Sequence, residues 1–137
     1  MVLGFYYRLG DDRIIMRILV LGHSPSSKEY DPKKGNPTIN RLNKWLSDVE
    51  VYSYSNICMY HVDSIKKKDI NESYIRDITK GYSKIIGLGN EVKRILTKMD
   101  IKHFALPHPS PLNRKLNCKV YELKIINKLK AYLQIDA

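Results

Sequence analysis

At 137 residues, 43% hydrophobic and 28% charged, the chain is long enough to bury one core and too apolar to be disordered. Two cysteines, Cys58 and Cys118, exclude a disulfide framework and a four-cysteine metal or iron–sulfur site, leaving two reduced thiols as in a cytosolic protein. Lys and Arg total 24 against 14 Asp and Glu, a net charge of +10 spread along the chain, which suits a polyanion because neutralising phosphates releases condensed counterions.

No apolar run approaches the roughly 18 residues of a membrane span, and Asp11-Asp12-Arg13 interrupts the N-terminal stretch, so neither a span nor a signal peptide is expected. Residues 1–15 read as an arm, with Gly4 to Leu9 as a strand or a docked segment, and residues 16–137 as a single domain. Arg17 to Leu21 is a continuous apolar run ending at Gly22, the pattern of a strand buried on both faces. The loop Gly22-His23-Ser24-Pro25-Ser26-Ser27 follows at once and can present backbone N–H groups and hydroxyls to an anion. It lacks the second glycine and the Gly-Lys-Ser/Thr ending of a Walker loop.

Lys28 to Gly35 is polar and turn-rich; Asn36-Pro37 then reads as a helix start, with Ile39, Leu42, Trp45 and Leu46 at helical spacing and Trp45 in the core. Residues 49–57 alternate with period two and predict a strand ending near Asn56, whose amide sets a donor beside an acceptor, as reading a nucleobase edge requires. A basic connector with Lys66-Lys67-Lys68 leads to a helix capped by Asn71. Lys84 to Gly89 predicts a third buried strand, and Asn90 to Met99 a helix with Val92, Ile95, Leu96 and Met99 inward. Ile101 to Leu106 predicts a fourth strand. A last helix, about Leu116 to Leu133, is expected to bury Val120, Leu123, Ile126, Leu129 and Leu133.

Between the fourth strand and that helix, Pro107, Pro109 and Pro111 fix φ and remove three donors within five residues. The loop is therefore stiff, and it carries His108, Ser110, Asn113 and Arg114. Alternating strands and helices predict an α/β fold: three layers, α/β/α, around a central, mostly parallel four-stranded sheet. In that architecture the loops after Leu21, Ile57 and Leu106 open on one edge, where α/β proteins bind ligands.

His108-Pro109-Ser110-Pro111-Leu112, with Gly22-His23-Ser24-Pro25-Ser26 upstream, Asn56 ending the second strand and Ile86-Gly87-Leu88-Gly89 before the last loop, resembles the uracil-DNA glycosylase superfamily from about Arg17 onward. The resemblance implies a protein that flips a nucleotide out of DNA and hydrolyses its N-glycosidic bond, with single- or double-stranded DNA as partner and no metal or cofactor. His108 would donate to the base O2 as negative charge develops there. Asn56 would read the pyrimidine edge in a pocket formed with Gly22 and Pro25. Ser26, Ser110, Asn113 and Arg114 would contact the DNA backbone, and Leu112 would fill the space left by the flipped base. Active members carry Asp, Glu or Asn in the first motif to position water, where this chain has His23 and Ser24. A neutral histidine can act as a base near pH 7, which makes His23 the substitute, with Asp31 and Asp63 as more distant candidates. The family's stacking aromatic is replaced by Thr38, so Tyr30 would have to stack. Two further readings are a binding module that keeps the pocket without efficient hydrolysis, and an enzyme of free nucleosides or nucleotides. A cytoplasmic monomer is expected.

Overall fold

The computed structural model describes residues 6–9, 13–25, 37–47, 49, 52–109 and 114–133. Tyr6–Leu9 (β1) and Arg13–Met16 (β2) pair antiparallel, with Tyr6 opposite Met16, so the N-terminal arm is a hairpin.

The main sheet starts at Ile18–Gly22 (β3), all five residues buried, as a run apolar on both faces demands. Pro37–Trp45 (α1) opens on proline, whose fixed φ suits the first helical position, and buries Leu42 and Trp45. Ser53–Asn56 (β4) is shorter than the predicted strand 49–57 and lies at the sheet edge, paired only with β3. After a 3-10 turn at Lys67–Asp69 comes Glu72–Thr79 (α2), where the Asn71 side chain caps by accepting from the Tyr74 N–H at 3.0 Å. Lys84–Leu88 (β5) is followed by Asn90–Lys98 (α3). Phe104–Leu106 (β6) is half the length predicted, because Ile101 turns its N–H back to the Leu96 carbonyl and still belongs to the end of α3. A 3-10 turn at Arg114–Asn117 leads into Lys119–Leu133 (α4).

Strand order is β4-β3-β5-β6 and every pairing is parallel, so the four-stranded α/β sheet expected from the alternation of elements is present. Side chains alternate cleanly across it. On one face, Ile18, Val20, Ile86 and Leu88 meet Leu42 and Trp45 of α1 and Ile125, Leu129 and Leu133 of α4. On the other, Leu19, Leu21 and Ile85 meet Ile75 of α2 and Val92, Ile95 and Leu96 of α3. Burying a side chain such as Leu129, 1% exposed, stabilises the fold by about 1.5–3 kcal/mol.

The helix expected to bury Val120 and Leu123 does not do so: they are 76% and 59% exposed. Residues spaced strictly by three drift around a helix, and the step from Val120 to Leu129, at about 100° per residue, places the two on opposite sides. The buried stripe is Ile125, Leu129 and Leu133, spaced by four, with Ile126 packed at its flank. Among the described residues, no helix is long and apolar enough to cross a membrane.

Candidate active site

In a sheet ordered β4-β3-β5-β6 the chain reverses direction of growth between β3 and β5, and ligands of such sheets bind outside the carboxyl ends of the strands at that point. A cleft of about 710 Å³ opens there. His23, Ser24 and Pro25 line it from the loop after β3, Glu91 from the first turn of α3, and His108 from the loop after β6. His61, Val62 and Asp63 close its outer side.

The backbone fixes these groups to one another. The β3–β4 ladder runs on past the strands, with Ile57 N–H to Gly22 O at 2.9 Å and Cys58 N–H to His23 O at 3.1 Å. Gly89 stands between β5 and α3 with φ of 87°, a conformation that favours glycine. Its N–H donates to Leu106 O at 2.9 Å, tying the turn that leads to Glu91 to the strand that leads into His108. His61 donates through Nδ1 to Pro25 O at 2.8 Å and so pins the first loop from outside.

Glu91 is the residue that sequence reasoning missed. Its Oε1 accepts from Ser64 Oγ at 2.9 Å and from the Ile65 N–H at 3.0 Å, and its Oε2 is paired with His23 Nε2. Burial alone would raise the carboxyl's pKa, but the bonds from His23, Ile65 and Ser64 outweigh it and hold the group below the ordinary glutamate range. The carboxylate is therefore ionised, and His23 carries a proton on Nε2. At Nδ1, His23 meets Ser24 Oγ at 3.1 Å. Ser24 also reaches Val62 O at 3.1 Å and lies 3.4 Å from the Val62 N–H, so its hydroxyl clamps the loop to the segment after β4. Both ring nitrogens of His23 are thus engaged, and in this arrangement the ring links Ser24 to Glu91 rather than offering a free base.

His108 is half-buried on the facing wall, its Cβ 3.8 Å from where a Cβ on Gly89 would stand. Burial, and then the charge of His23, push its pKa down, which favours the neutral ring. A neutral imidazole still donates through one nitrogen. A second cavity of about 460 Å³ shares Gly89, Asn90 and His108 with the cleft and adds Lys93, Lys115 and Tyr121.

The remaining predicted residues fall as follows. Asn56 is paired in register with Gly22, and its Oδ1 lies 2.8 Å from the point a Gly22 Cβ would occupy. Among the described residues, the wall of the His23 cleft does not include it. Asp63 lies on the rim with its side chain fully exposed, beside His61. Arg114 begins the 3-10 turn before α4 and is exposed. Ser26, Tyr30, Asp31, Ser110, Leu112 and Asn113 lie outside the described residues. Among the described residues, no group of three or more His, Cys, Asp or Glu side chains is arranged to hold a metal ion.

Fold and site together define a three-layer parallel α/β domain with a histidine–carboxylate cleft at its switch point. In comparisons with known proteins, no protein-family model matches the chain and no curated protein matches it.

Proposed function

We propose that this protein is a monofunctional DNA glycosylase resembling the uracil-DNA glycosylase superfamily, which excises uracil or a modified pyrimidine by hydrolysing the N-glycosidic bond. The observation that carries the reading is the meeting of His108 with the His23–Glu91 pair in one cleft, with His108 favoured as a neutral donor. Cleavage pushes the bond's electrons onto the pyrimidine, and an N–H held at the oxygen where that charge collects lowers the barrier. A neutral ring serves here without the cost of burying a cation. Asn56, in register with Gly22 just before the cleft residue His23, is the proposed reader of a base that reaches past the cleft wall, and the net charge of +10 supplies attraction for the DNA backbone. The protein is proposed to work in the cytoplasm as a monomer and to need no metal or cofactor.

The test is incubation with single-stranded and duplex oligonucleotides carrying one uracil, hydroxymethyluracil or mismatched thymine, followed by alkali. Strand breakage should appear with at least one substrate and fall by roughly 100-fold or more in His108→Ala. Salt-dependent binding with no abasic product on any substrate would instead identify a binding module.

A further inference from the structure

We propose that Glu91 is the group that holds and deprotonates the attacking water in this cleft, with His23 as its positioning residue. The inference rests on reading the cleft as a site of N-glycosidic hydrolysis.

Three observations support it. First, of the acidic side chains lining the cleft, Asp63 is fully exposed on the rim, whereas Glu91 is held from three directions. Second, among the described residues, the acceptor count leaves one position open. A carboxylate has about four lone-pair sites; Ser64 and Ile65 fill both on Oε1, and His23 takes one on Oε2. The remaining site is on Oε2, and Glu91 is among the residues that line the cleft. Third, the groups around Glu91 account for residues that the first loop alone leaves unexplained. Ser24 meets the Nδ1 side of His23 and Glu91 pairs with its Nε2 side, so the ring joins the first loop to a carboxylate supplied from another loop.

The chemistry balances without a further reactant. The C1′–N bond breaks with its electron pair passing to the base, whose oxygen is met by His108. Water forms the new bond to C1′ and gives its proton to Glu91 Oε2, which releases it to solvent or to the departing base. The products are the free base and an abasic sugar, and nothing is oxidised or reduced. Because the sugar is already cationic when water attacks, a weakly basic carboxylate suffices, and its charge also favours the cation.

Glu91→Gln separates this role from a structural one. The amide keeps an oxygen for Ser64 and Ile65 and turns its NH₂ toward His23, whose Nε2 then accepts while Nδ1 carries the proton toward Ser24, so the shape survives with the other tautomer while the charge is lost. On the best oligonucleotide substrate, its single-turnover rate should fall by roughly 100-fold or more, with oligonucleotide affinity unchanged. Glu91→Ala, checked for folding by its melting curve, should regain part of its rate in formate but not in chloride at equal ionic strength. A Glu91→Gln variant that cleaves at the wild-type rate overturns the assignment and leaves the glycosylase reading standing. A rate loss that merely follows weaker binding, or a folded Glu91→Ala that formate does not restore, overturns it too. A wild-type protein that releases no base overturns both.

Discussion

Gly22→Ala probes the junction between the first loop and Asn56. A Cβ there would stand 2.1 Å from Tyr54 Oη, 2.9 Å from Tyr54 Cζ and 2.8 Å from Asn56 Oδ1, so something must move. Both obstacles are side-chain tips rather than backbone, and Tyr54 is 40% exposed, so its ring can swing outward. Overpacking of this kind costs about 1–3 kcal/mol. Replacing a strand glycine by alanine returns about 0.5–1 kcal/mol through the unfolded chain. The net expectation is a loss of about 0–2.5 kcal/mol, centred on about 1, read as a drop in Tm of about 4 °C per kcal/mol for a domain of this size. On a Tyr54→Ala background the larger obstacle is gone, and the cost should shrink by about 1 kcal/mol in a double-mutant cycle. On the glycosylase proposal, with Asn56 as reader, base release should fall in Gly22→Ala and stay low in the double variant, because the contact with Asn56 persists. An equal cost on both backgrounds would show that Tyr54 is not what Gly22 makes room for. Wild-type base release in the double variant would refute the role given to Asn56.

Stability should fall as pH drops. The pKa of His108 is held below its ordinary value of 6.5 and that of Glu91 below 4.5, so each contributes stability that is complete above those values and lost as pH falls toward the folded-state value. Thermal melts should therefore show Tm declining below about pH 6.5, with the first part of the decline reduced in His108→Gln; a Tm that rises from about pH 7 to about 5.5 would contradict the shift. Leu129→Ala, in the buried α4 stripe, should cost about 2–5 kcal/mol in urea unfolding. Leu123→Ala, on the exposed side, should stay within about 0.5 kcal/mol, and a large loss there would mean that this face is covered in solution.

The central strands were legible because burial on both faces leaves a plain sequence trace: β3 and β5 are runs of apolar residues closed by glycine. The edges were less so. β4 and β6 each have one neighbour, and the residues flanking them satisfy their backbone groups in other ways, as Ile101 does with Leu96. On α4, Val120 and Leu123 looked inward because apolar residues three apart satisfy a helical pattern over one turn, although the stripe that meets the sheet recurs at four. A single helix carries no mark of which of two apolar stripes its sheet will cover.

The site divides along the same line. His23, Ser24 and His108 could be singled out because each stands in a polar loop directly after an apolar strand. Glu91 gave no such signal, since an acidic residue in the first turn of a helix is ordinary complement to the helix dipole. What distinguishes it is strand order. Placing β5 beside β3 brings the β5–α3 turn against the loop after β3, and so joins Glu91 to a histidine 68 residues earlier. On the proposed reading, the loop after β3 need not contain a carboxylate, because the adjacent strand leads to one at Glu91. A histidine at that position bridges the two loops, which a shorter carboxylate of the same charge as Glu91 could do only against electrostatic repulsion.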